Sequence, residues 1–181
     1  RLVGSEMCIR DSETIADMMP LEQADGFPFH HIHATGSFGK EWMPKRVMDN
    51  GVDWKNCPAL DIREYIYDMP TVMAAADIVI GRAGSATCNE IGASGTPCIL
   101  IPSPNVTNNH QEKNAMVLQG RGAAVVVPEA GCSGKLLFDT AKEILTDPAR
   151  TKSMRQAASS LAVVDSAQRI YETALELIQS R

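Results

Sequence analysis

Apolar positions along this chain fall into two kinds of run. Residues 76–80 (Ala-Asp-Ile-Val-Ile), 98–101 (Cys-Ile-Leu-Ile) and 123–127 (Ala-Ala-Val-Val-Val) are short, almost unbroken and rich in β-branched side chains. Strands buried on both faces of a parallel sheet read this way. Residues 59–65 alternate apolar with polar positions and predict a half-buried strand, and residues 27–33 (Phe-Pro-Phe-His-His-Ile-His) read as another. Between the strands the period lengthens. Trp42, Met43, Val47 and Met48 mark the inner face of a helix predicted over 38–50, and Gly51 suits the left-handed position just past its end. Pro70 suits the first turn of a helix running to about 76, and another helix is expected from 110 to about 120. Ser133 is placed to cap a helix reaching about 145, and Asp147-Pro148 is an N-cap and first-turn pairing that starts the next. Ala167, Ile170, Tyr171, Ala174, Leu175 and Ile178 form a narrow apolar stripe on a terminal helix. Strands alternating with helices predict an α/β fold, a Rossmann-like parallel sheet with helices on both faces.

The first twelve residues show no hydrophobic period. They resemble the translated adapter tail found at the ends of open reading frames from draft assemblies, so residues 1–12 are expected to be foreign to the fold. On that reading the native sequence starts near Glu13, inside a helix over 14–19 that Pro20 ends, and the first strand with its phosphate loop is missing.

Composition narrows the function classes. A chain of 181 residues suits one domain, and a net charge of −5 without a basic, aromatic-interleaved stripe excludes a broad nucleic-acid surface. No apolar run approaches the ~20 residues of a membrane span, and no charged-then-apolar signal opens the chain, so a soluble protein that is not exported is expected. The five cysteines form no C-x-x-C pair, which predicts reduced thiols in a cytoplasm and neither zinc nor a disulfide framework.

The densest chemistry lies in residues 81–97, Gly-Arg-Ala-Gly-Ser-Ala-Thr-Cys-Asn-Glu-Ile-Gly-Ala-Ser-Gly-Thr-Pro, between two buried strand runs. A βαβ unit there puts a helix N-terminus at the carboxyl edge of the sheet, where free N–H groups and the helix dipole attract an anion. Gly81 and Gly84 would let that anion approach the backbone. Glu90, about one and a half turns further on, could accept hydrogen bonds from a ribose diol, or could close a capping box with Thr87. A polar loop at 102–109 then leads into His110, Gln111 and Asn114 at the front of a helix. An amide such as Gln111 can both donate and accept toward vicinal hydroxyls, whereas a plain capping role for Asn109 would leave His110 and Gln111 solvated. His30, His31 and His33 do not predict a metal site, because alternation splits them between two faces and no acidic or cysteine ligand is near in sequence.

The run 81–97, followed by Ile101-Pro102 and by Asn109-His-Gln-Glu-Lys-Asn-Ala115, closely resembles the donor-binding half of the MurG family, inverting glycosyltransferases of family 28 with the GT-B fold. The resemblance covers roughly residues 14 to 180 and implies that the chain is the C-terminal half of such an enzyme. It implies that Glu90 binds the uridine ribose and that Tyr65 and Ile66 hold the uracil. Met69, Arg82, Gly84, Ser85, Ala86 and Thr87 would complete the nucleotide contacts, while His110, Gln111 and Asn114 would grip the N-acetylglucosamine.

The implied reaction transfers GlcNAc from UDP-GlcNAc to lipid I, giving lipid II for peptidoglycan, with no metal and no cofactor. No catalytic residue is expected in this half. The acceptor site, the general base and any peripheral contact with the cytoplasmic face of the plasma membrane belong to an N-terminal domain absent from this chain. Residues 13–165 would form the donor-binding domain, and 166–181 a helix that packs toward the absent one. The competing readings are a stand-alone catalytic subunit of a two-subunit UDP-GlcNAc transferase, a UDP-GlcNAc 2-epimerase, and a non-catalytic UDP-sugar-binding module.

Overall fold

The computed structural model describes residues 2–5 and 9–179. Its strands are β1 (Leu2–Ser5), β2 (His31–Ala34), β3 (Leu60–Arg63), β4 (Ile78–Gly81), β5 (Cys98–Leu100) and β6 (Ala124–Val126). All pair in parallel, in the order β3-β2-β1-β4-β5-β6. The helices are α1 (Ile9–Ala24), α2 (Gly36–Gly39), α3 (Trp42–Asp49), α4 (Met69–Ala75), α5 (Ser85–Ser94), α6 (His110–Gly120), α7 (Gly134–Leu145), α8 (Pro148–Ser159) and α9 (Ser166–Gln179).

Strand alternation feeds two cores. Ile78 and Ile80 pack on one face with residues of α1, α3 and α7, while Val79 packs on the other with residues of α4, α5 and α6. The α/β sandwich with helices on both faces is therefore present as read from the pattern.

Three expectations are corrected. Residues 2–5, expected to lie outside the fold, form the strand between β2 and β4, with Leu2 fully buried. The first strand is thus present; four residues are too few to show a period, and without them two inner strand edges would be unpaired. The expected loss of the phosphate loop falls on residues 6–8, which lie outside the described residues, as does Cys8.

The helix expected to stop at Pro20 continues to Ala24. Proline removes the N–H that would bond the Ala16 carbonyl, and Asn50 Nδ2 supplies that bond instead, at 3.1 Å. The helix expected over 38–50 divides into α2 and α3. Met43 and Val47 are fully buried, whereas Met48 lies too far around the helix from them and stays 45% exposed. Ser133 and Asp147 cap α7 and α8 with their side chains as expected. No residue of α9 is buried, and its apolar stripe lies open, with Ile170 and Ile178 about 70% exposed. Among the described residues no helix is long and apolar enough to cross a membrane.

Candidate functional site

The strand order reverses between β1 and β4, so the crevice outside the carboxyl ends of these two strands is the natural ligand position of this architecture. Gly81 ends β4 there, Arg82 to Gly84 turn the chain, and α5 begins at Ser85 with Gly84 extended at its N-cap. Among the described residues no side chain caps α5. Its first-turn N–H groups therefore remain available to an outside acceptor, reinforced by the helix dipole. Gly95 closes the helix in the left-handed conformation (φ 63°), and a Cβ there would lie 2.2 Å from Ser159 Oγ. Gly84 and Gly95 thus mark the two ends of the helix.

Ser85, Ala86 and Glu90 are exposed on this helix, and Thr87 is half-buried. The capping-box alternative for Glu90 fails on geometry: the N-cap is Gly84, so Thr87 is already the third helical residue. Among the described residues the Glu90 carboxylate has no hydrogen-bond or ion-pair partner, and it faces solvent.

Of the other expected residues, Ile66, Met69 and Asn114 are tied to α5 or the turn before it. Ile66 is buried in the same cluster as Ala83 and Ile91, and Met69 packs against that cluster from the first turn of α4. Tyr65 is 45% exposed, with its ring centroid 6.3 Å from that of Tyr67. On α6, Asn114 Nδ2 donates to the Ala83 carbonyl at 3.0 Å, tying that helix to the turn before α5. Gln111 Oε1 accepts the Ser103 N–H at 2.9 Å and so holds the loop after β5. His110 is exposed, with Nδ1 at 2.9 Å from the Thr107 carbonyl. Asn109 does not cap α6 with its side chain; it and Asn108 are both left-handed (φ 51° and 56°), a conformation asparagine tolerates better than most residues.

Arg82 points elsewhere than its place in the motif implies. Its guanidinium is largely buried, paired with Asp11 and, at 2.6 Å, with Glu129, and Nη1 also donates to the Ile101 carbonyl. That network staples α1, the β4 turn, the end of β5 and the segment after β6 together. Sequence reasoning missed Asp11 and Glu129, and neither belongs to a local motif.

The histidines found partners the sequence did not suggest. Glu22 of α1 is buried against His31, 2.8 Å from Nδ1, and His33 Nε2 lies 3.4 Å from Ser12 Oγ. Burial, with His31 beside it, pulls the His33 pKa down to about 3. Burial likewise pushes the Cys88 and Cys132 thiols up to about 11, so both are protonated and weakly nucleophilic at neutral pH. Among the described residues no group of three or more histidine, cysteine or acidic side chains is placed to hold a metal ion.

The model of the glycosyltransferase family 28 C-terminal domain matches residues 2–170. The chain belongs to that family. A relative from Acetivibrio thermocellus, named UDP-N-acetylglucosamine–N-acetylmuramyl-(pentapeptide) pyrophosphoryl-undecaprenol N-acetylglucosamine transferase, is 34% identical over 178 residues, 98% of this chain and 47% of the relative. One of the same name from Oenococcus oeni is 38% identical over 153 residues, 84% of this chain and 40% of the relative. The chain thus spans about half the length of the curated relatives it matches.

Among solved structures, Acinetobacter baumannii MurG superimposes with a TM-score of 0.76 at 20% identity, covering 99% of this chain and 49% of that one. A UDP co-structure of Staphylococcus aureus MnaA gives 0.74 at 11% identity, covering 98% and 46%. At such identities these likenesses show the fold alone, that of GT-B glycosyltransferases and epimerases.

Proposed function

We propose that this domain is the donor-binding half of a MurG-type transferase, which holds UDP-GlcNAc while its sugar moves to lipid I to give lipid II. The observation that carries the reading is the pairing of an uncapped α5 N-terminus with an uncommitted, exposed Glu90 on the same helix. The helix end offers N–H groups and a positive dipole to the pyrophosphate, and Glu90 offers acceptors to the ribose diol. Ile66 and Met69 lie against the same cluster as the turn before α5, which is where a uracil attached to that ribose would be read, with Tyr65 alongside.

In this reading Gln111 and Asn114 act on the sugar in two ways. Each uses one amide atom to fix a loop and keeps its other amide atom for hydroxyls. Arg82 is a positioning residue that shapes the crevice floor. The names of the curated relatives support the UDP-sugar donor and the lipid-linked acceptor, and action at the cytoplasmic face of the membrane is part of the same proposal. The domain supplies orientation and preorganised dipoles for the developing pyrophosphate charge, while acceptor and general base come from the remainder of the enzyme.

The test is to assay the 181-residue chain with UDP-GlcNAc and lipid I, beside the same domain joined to an N-terminal family partner. The chain alone should bind UDP and form no lipid II, and the joined protein should form it. Lipid II from the chain alone would place the acceptor chemistry in this half and overturn the division of labour.

A further inference from the structure

A groove of about 640 Å³ runs between α3 and the outer strand β3, on the opposite side of β2 from the crevice. Four cationic side chains, Lys40, Lys45, Lys55 and Arg63, line it against two carboxylates, Glu41 and Glu64. The lining therefore carries an excess of positive charge in a chain whose net charge is −5. Two of the four cations are committed: Lys40 to Glu64 at 3.3 Å and Arg63 to Asp61 at 2.5 Å. Lys45 and Lys55 form no ion pair within 4 Å among the described residues, although Glu41 sits one turn before Lys45 on the same groove wall. Between the cations the wall is apolar, built from Pro44, Met48, Ile62 and the half-buried ring of Trp54.

A concave site with an apolar wall and a few convergent charges is the general form of a small-molecule pocket, and this volume is within the usual range. Ammonium groups act as point charges toward phosphate oxygens, and aromatic rings favour flat or apolar bodies. We propose that the groove binds a phosphorylated small molecule, with its phosphate between Lys45 and Lys55 and its apolar or aromatic body against Trp54 and Ile62. The groove shares no residue with the donor crevice, so this inference stands apart from the donor-binding reading.

The chain has two tryptophans, and their indole N–H signals report on the groove directly in a nitrogen-15 correlation spectrum. Trp54 Nε1 is buried with no hydrogen-bond partner, which makes its shift responsive to changes in the ring's surroundings, and Trp42 serves as the internal reference. Phenyl phosphate should move the Trp54 signal saturably while the Trp42 signal stays nearly still. Lys45→Ala with Lys55→Ala should weaken that response roughly tenfold or more, with the melting temperature and the Trp42 signal unchanged. Vesicles containing phosphatidylglycerol form a second arm. A response to vesicles but not to phenyl phosphate identifies the phosphate as a lipid headgroup, and the reverse identifies a soluble phosphomonoester. The proposal is overturned if neither probe moves Trp54, if the double variant responds as the parent does, or if uncharged phenol binds as tightly as phenyl phosphate.

Discussion

Asn114 Nδ2 reaches the carbonyl of Ala83 at 3.0 Å across 31 residues of sequence, joining the front of α6 to the turn that precedes α5. That bond adds a polar tie to the apolar cluster that packs α5 and α6 together, on the helix whose Gln111 holds the loop after β5. Removing it leaves the carbonyl of the fully buried Ala83 without this donor, at a cost of ~1 kcal/mol. Asn114→Ala should therefore lower the unfolding midpoint modestly and weaken UDP-GlcNAc more than UDP, as read by calorimetric titration with each.

A second long-range amide bond has a purely structural consequence. Asn50 Nδ2 occupies the Ala16 carbonyl that Pro20 cannot serve, and it also reaches Asp17 at 3.2 Å. Asn50→Ala should destabilise the chain by ~1 to 2 kcal/mol, while the double variant Asn50→Ala/Pro20→Ala should recover part of it, because alanine restores the helical N–H. Chemical denaturation of the three variants measures this. Equal losses in the single and double variants would contradict it.

How far the sequence reaches is clearest from such pairs. The strands β4 and β5, the caps Ser133 and Asp147, and the 81–90 motif were legible because each is encoded within a few consecutive residues. Asn50 with Ala16, Glu129 with Arg82 and Glu22 with His31 were not legible, since each depends on which helices cross which strands. β1 escapes the sequence pattern for a related reason. Its place is fixed by the edges of β2 and β4, and four residues carry too little pattern to announce it. Gln111 and Asn114 were picked out by motif, but that they also bond loop backbone was visible only in the fold.

The His33 ring gives a pH dependence with a definite sign. Its folded pKa, about 3, lies below the ordinary histidine value of 6.5, so between these values the unfolded chain binds a proton that the folded chain does not. Stability from this source is complete above about pH 6.5 and is lost as pH falls toward 3, by ~1.4 kcal/mol per pH unit in mid-range. Urea midpoints measured from pH 7 to pH 4 should fall more steeply for the parent than for His33→Leu.

The open stripe on α9 predicts a context-dependent effect. Ile170→Ser with Ile178→Ser should change the stability of this chain by no more than ~0.5 kcal/mol, because both side chains are already about 70% exposed. In a protein that includes the N-terminal partner, we expect the same pair to lower the melting temperature, since the stripe would then be covered. Equal melting temperatures there would show that the helix does not dock.

The central claim rests on Glu90, and UDP affinity measured together with melting temperature tests it most directly. Charge-assisted hydrogen bonds to the ribose worth ~1.5 to 3 kcal/mol predict that Glu90→Ala weakens UDP binding roughly tenfold to a hundredfold. The melting temperature should stay unchanged, because the carboxylate is exposed and has no partner among the described residues. Unchanged UDP affinity in a variant that melts as the parent does would contradict the assignment of this helix to the donor.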